Sequence, residues 1–180
     1  MFVNFKRKGL VNMKKMSTKS LVFGALLTAL SFIIPMFFPK LPLPQPFSVT
    51  FASHVPTILA MLINPVMAIF TVIGCTASFF VSLGPIVALR AFSHIIFVVI
   101  GCVLLKKNVN LYITLIICAI FHGLGEVIAV YTFTPTAQLD EKGGLTFLWG
   151  IVFGITVFHH FVDCVIAVPI FKALKKTKLI

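Results

Sequence analysis

One arginine stands where an arginine is hardest to keep. Arg90 lies inside the apolar run PIVALRAFSHIIF (residues 85–97), with His94 one helical turn further on. A guanidinium in hydrocarbon costs at least about 3 kcal/mol, so it must face a bundle interior or an aqueous cavity and find a partner there. Whatever this chain folds into has to provide that interior.

The surroundings of Arg90 are as apolar as the run itself. The chain of 180 residues is 59% hydrophobic and 11% charged, against about 25% charged in a soluble domain. Mean hydropathy is +1.12. These values describe an all-α, polytopic membrane protein. Its length suits six spans at roughly 20 residues each and leaves no room for a soluble catalytic domain.

The spans are expected at residues 20–38, 49–64, 66–82, 85–105, 109–132 and 145–171. They form one membrane domain (residues 20–171) between a basic leader (1–19) and a basic tail (172–180). Span 1 carries Ala25 and Ala29 four residues apart, a spacing that lets another helix approach closely. The loop after it, PKLPLPQPFS, holds four prolines in ten residues and favours extended backbone. Span 2 is short, and its Thr50, Ser53 and His54 are expected near the outer surface.

Charge orients the bundle. Twelve Lys and Arg fall in the leader, the loop at Lys106 and Lys107, and the tail; the opposite loops hold only Lys40 and Lys142. Positive charge marks the cytoplasmic side, so both termini are expected there. The net charge of +11 is therefore a topology signal, and nucleic acid is not an expected partner.

Helical spacing then sorts the polar residues by depth. Arg90 and His94 lie one turn apart on one face, and so do Glu126 and His122 on span 5. With Thr50, Ser53 and His54 they fall in the outer half of the bundle. Asp163 is expected in the inner half of span 6, paired with His159 one turn above it. This pattern suits a pocket open to the outside, where Arg90 binds a carboxylate and Glu126 and the histidines make the other polar contacts. Trp149 could stack on a flat ring. The plainer readings are a buried Arg90–Glu126 pair that fixes helix register, histidines that satisfy backbone carbonyls, and Trp149, Tyr112 and Tyr131 in interfacial belts.

Several chemistries find no support. The chain contains no GxxxxGK[ST] phosphate loop, no HExxH and no GxSG elbow. Cys75, Cys102, Cys118 and Cys164 lie in apolar runs without metal-binding spacing and read as small apolar residues. No cofactor and no metal is expected. No repeat relates the two halves, so an inverted-repeat carrier is disfavoured. A membrane enzyme using Glu126, His122 and His94 as acid–base groups is an alternative from another class.

The chain resembles the S component, the substrate-binding subunit, of energy-coupling-factor (ECF) vitamin transporters. The resemblance covers nearly the whole chain: basic leader, span 1 with Ala25 and Ala29, proline-containing first outer loop, and six spans. It is most similar to the niacin-type S components, through IPMFFPKLPLPQPFSVTFASHVP (34–56), PVMAIFTVIG (65–74) and VALRAFSHIIF (87–97). The resemblance implies a vitamin site near the outer face. It also implies docking on a transmembrane coupling protein that carries two ATPase subunits, and a bilayer partner throughout. On this chain it gives docking to Ala25 and Ala29, lid and pocket edge to residues 48–54, and the ligand to Arg90 and His94. Met1-Phe2-Val3 lacks the histidine of metal-type S components. Nicotinate needs one guanidinium, one stacking surface such as Trp149 or Phe47, and a partner for its ring nitrogen from His94 or His122. Pyridoxine, pantothenate and biotin are the alternative vitamins.

Overall fold

Asparagine and proline decide where the helices begin. The computed structural model describes residues 18–41, 49–177 and 180. Helix α1 (Thr18–Phe37) leads into a two-residue strand pairing, β1 (Lys40–Leu41) with β2 (Val49–Thr50). Helix α2 (Val55–Ile63) ends at Asn64, whose side-chain oxygen accepts from the amides of Val66 at 2.8 Å and Met67 at 3.4 Å. That oxygen caps α3 (Pro65–Leu83), and Pro65 occupies a first-turn position that has no amide to satisfy. Gly84, at φ 89°, makes the one-residue turn into α4 (Pro85–Lys106), a backbone that glycine adopts without strain. Asn110 caps α5 (Leu111–Phe133) in the manner of Asn64. The short α6 (Thr136–Glu141) precedes α7 (Gly144–Lys176), which is π-helical over Phe147–Ile155.

Among the described residues five helices, α1, α3, α4, α5 and α7, are long and apolar enough to cross a membrane. The expected second span departs from this. Its helical part, α2, has nine residues, about 13.5 Å at 1.5 Å per residue, roughly half of a 30 Å hydrocarbon core. Eight of those residues, Val55 to Leu62, are buried. A short helix that is apolar on all sides belongs inside a protein, and α2 packs against α1, α3, α4 and α7. Around it α1 lies on α3, α3 on α4, α4 on α5, and α5 on α7. The other core residues centre on α2 as well, with Ile58 and Met61 packed against Phe97, Val98 and Val72.

The long helices expose much of their apolar surface: Leu26, Phe70, Phe80, Val99, Ile128 and Val165 all face outward. Water would not tolerate that surface and lipid tails do. The molecule is a multi-pass membrane protein.

The strap β1–β2 pairs Lys40 with Thr50 and Leu41 with Val49, antiparallel. The amide of Phe51 donates to the carbonyl of Pro39 at 3.1 Å, which extends the strap by one bond. It brings Val49 and Thr50 over one end of the bundle, the end that also carries the α3–α4 turn. Residues 42–48 of the proline-rich loop, including Phe47 and Ser48, lie outside the described residues, as does the leader up to residue 17.

Candidate functional site

Helices α4 and α5 lie side by side, and each contributes one charged residue to their shared interior. Arg90 is 3% exposed and Glu126 is 4% exposed. Arg90 donates to Glu126 Oε2 twice, from Nε at 3.0 Å and from Nη2 at 2.5 Å. Thr156, the first residue after the π-helical stretch of α7, donates to the same oxygen at 3.1 Å. The other carboxylate oxygen, Oε1, faces His94 Nε2 at 3.5 Å and His122 Nε2 at 3.6 Å. One carboxylate therefore joins three helices.

Below it lies a group of histidines that spacing alone does not assemble. The rings of His54, His94 and His122 form a triangle with centroid separations of 4.7, 4.5 and 4.6 Å. His159 lies 4.8 Å from His54, and His160 lies 5.2 Å from His122. His54 Nδ1 and its backbone amide both sit 2.9 Å from Asp163 Oδ2. His159 Nε2 is 3.4 Å from the same oxygen. His122 Nδ1 meets His160 Nδ1 at 3.1 Å.

Two expectations of depth change here. His54 and Asp163, expected in opposite halves of the bundle, meet directly, so Asp163 is not separate from the site. The reason is the backbone between Thr50 and Val55, which is turn rather than helix. Two turn hydrogen bonds, from the Ser53 amide to the Thr50 carbonyl and from the Val55 amide to the Ala52 carbonyl, both at 3.2 Å, and a φ of 61° at Ala52 give these residues directions that helical spacing does not anticipate. Residues 50–54 thus carry His54 down to the level of Asp163. Such backbone survives at this depth because it is enclosed by protein.

Thr50, Ser53, His54, Arg90, His94, Glu126, Thr156 and His159 surround a cavity of about 20 Å³, closed on its apolar side by Val49, Phe79, Val87 and Ala91. That volume suits about one water molecule, so a pyridine ring enters only if side chains or the strap move. His122 lies beneath the cavity and does not line it. Thr50 Oγ1 is buried beside it with no hydrogen-bond partner. Ser53 Oγ lies 3.4 Å from His159 Nε2. Of the expected ligand residues, Trp149 alone lies elsewhere: it is half-exposed on the outer face of α7, packed on Phe153. Sequence reasoning left Thr156, His159 and His160 out of the site. The i,i+4 pairing of His159 with Asp163 was visible; nothing signalled Thr156, whose position depends on the π-helical stretch before it.

Ala25 and Ala29 lie outside this cavity. With Gly24, Thr28, Phe32 and Gly74 they line an open groove of about 650 Å³ between α1 and α3. Its backbones approach closely: a Cβ at Gly74 would meet Ser31 Oγ at 2.6 Å and the Thr28 carbonyl at 2.9 Å.

The chain is 33% identical over 181 aligned residues to the niacin transporter NiaX of Lactococcus lactis subsp. cremoris (strain MG1363), an alignment that covers 95% of this chain and 81% of that protein. No protein-family profile matches the chain. No solved structure matches it either.

Proposed function

We propose, from the premise that this chain belongs to the niacin-type S-component family, that it is the vitamin-binding subunit of an ATP-driven importer for nicotinate. One observation carries the reading: a buried polar cavity with an arginine in its wall, inside an otherwise apolar membrane bundle. Buried ionisable residues at membrane depth mark substrate paths and binding sites. Arg90 receives the carboxylate, because a planar guanidinium matches two carboxylate oxygens with parallel hydrogen bonds. Thr50 and Ser53 complete the polar rim, and His94 or His54 meets the ring nitrogen. Phe79, Val87 and Ala91 supply the apolar wall. Admission of the ring requires the strap carrying Val49 and Thr50 to lift, since the closed cavity has room for about one water molecule.

The topology follows from the same reading. The segment 49–63 completes a sixth crossing in composite form, strand and turn above and α2 below. Both termini then lie in the cytoplasm, as the basic leader and tail require, with residues 20–171 as a single membrane domain. The groove at Ala25 and Ala29 docks on a transmembrane coupling protein, and the two ATPase subunits behind it supply the energy. The chain itself performs no chemistry.

Calorimetric titration of the purified chain in detergent tests this. Nicotinate, nicotinamide, pyridoxine, biotin and pantothenate are compared, then repeated with Arg90→Ala. The expected result is tight binding of nicotinate that the variant loses. Tight binding of another vitamin keeps the transporter and discards niacin. No binding to folded protein discards both.

A further inference from the structure

We propose that the histidine triangle beneath the cavity is a binding site for one divalent transition-metal ion, held by His54, His94 and His122. Three ligands arrive on three separate elements: the turn before α2, α4 and α5. One nitrogen from each lies within 4.8 Å of the others. A tetrahedral ion with Zn–N bonds of about 2.0–2.1 Å holds its nitrogens roughly 3.4 Å apart, so small ring rotations close the set.

The shell behind the ligands is already built. His54 Nδ1 is engaged by Asp163 Oδ2 at 2.9 Å, which leaves Nε2 as its ligand atom. Asp163 is itself fixed by the backbone amide of His54 at 2.9 Å. His122 Nδ1 is engaged by His160 at 3.1 Å, which likewise leaves Nε2. A carboxylate or other acceptor on the far nitrogen is how proteins orient a metal-binding imidazole.

The near nitrogens lack what the far ones have. Among the described residues His94 Nδ1 meets no hydrogen-bond partner, and His94 Nε2 and His122 Nε2 have only the long approaches to Glu126 Oε1 at 3.5 and 3.6 Å, neither of them a formed hydrogen bond, although the residues are 1% and 0% exposed. Buried polar atoms without partners are rare and call for a cause such as an ion. Charge points the same way. Arg90 offsets Glu126, whereas Asp163 is fully buried and among the described residues meets histidines and the His54 amide. A cation on the His54 ring balances that carboxylate through the imidazole. An all-imidazole set suits zinc, copper or nickel, not calcium or magnesium, which take oxygen ligands. The overlapping trio His54, His159 and Asp163 is less suited, because its atoms already bond to one another. The spacing 54, 94, 122 resembles no metal motif, which is why the sequence gives no hint of it.

The test uses the full chain in detergent, purified without a polyhistidine tag and stripped with chelator. Zinc is titrated calorimetrically, and cobalt is followed through the visible bands of a four-coordinate ion. We expect one ion per chain, binding abolished in His94→Gln and His122→Gln, and binding about 10–100-fold weaker in Asp163→Asn. Thermal unfolding of the metal-free variants establishes that each is folded; if one is not, the wild-type titration and Asp163→Asn decide. Folded wild type that binds no ion overturns the proposal. Stoichiometric binding that survives in both histidine variants overturns it as well, by placing the ion elsewhere. These readouts involve no vitamin, so they stand or fall separately from the transport reading.

Discussion

The molecule has two concave features, and they follow opposite rules. The cavity between α4, α5, α7 and the strap is small, about 20 Å³, and its wall carries charged and hydrogen-bonding side chains beside apolar ones. The groove between α1 and α3 is apolar, open and about 650 Å³. In hydrocarbon an apolar groove costs almost nothing to leave uncovered, because lipid tails fill it as well as side chains do. A partner that binds there gains packing but little hydrophobic energy, which favours a contact that can be made and released. The cavity has no such freedom. Every polar atom in it must be met by protein, water or ligand, since each unmet group costs about 1–3 kcal/mol. One region is therefore specified tightly and the other is permissive. A substitution in the first should alter folding and binding together, and one in the second should alter coupling alone.

Removing one member of the buried ion pair is the severest way to break this contrast. Arg90→Ala leaves Glu126 charged and uncompensated, and breaking such a pair destabilises by about 3–5 kcal/mol. Adding Glu126→Ala should recover part of that loss, while nicotinate binding stays absent in both. Unfolding in detergent, read with the calorimetric titration, checks both halves; a single variant as stable as the parent contradicts the assigned burial.

Next in size is the loss of uptake expected when the groove is filled. Ala25→Trp with Ala29→Trp should abolish transport of labelled nicotinate in cells while the purified chain keeps its affinity. Unchanged uptake removes docking from this face, and lost affinity shows that the two regions are not independent.

The smallest change sharpens the picture at a single atom. Thr50→Val deletes a buried hydroxyl that has no partner in the closed cavity. Stability should stay level or rise by up to about 1 kcal/mol, and nicotinate affinity should fall about fivefold, one neutral hydrogen bond's worth. If affinity does not move, Thr50 is a bystander at the rim.

Much of this arrangement was legible in the chain. The pairings Arg90–His94 and His122–Glu126 follow from i,i+4 spacing, and a buried arginine demanded a carboxylate that only a few positions could offer. The helix start at Pro85 was equally plain, and that at Pro65 was placed one residue late. Three features were not legible, each because helical spacing was applied where the chain is not α-helical. His54 descends on turn backbone and joins Asp163. Thr156 reaches Glu126 from the end of a π-helical stretch. The second span contracts to nine buried residues, whereas hydropathy registers only its composition. Trp149 faces outward for a different reason: an amphipathic ring fits an interface as well as a pocket, and sequence does not choose between them.

The burial of α2 bears on how the chain enters the membrane. A segment of nine residues, however apolar its faces, is too short to cross and cannot be released sideways into the bilayer as an independent stem. It enters alongside α1, which precedes it, and α3, which follows it directly. Even then one of its flanks stays uncovered, because that flank belongs to α7, which is made only after α3, α4 and α5. The centre of the bundle is thus made early and sealed late. Enclosure of the buried histidines waits for α7, and a chain interrupted before it exposes its own middle to quality control.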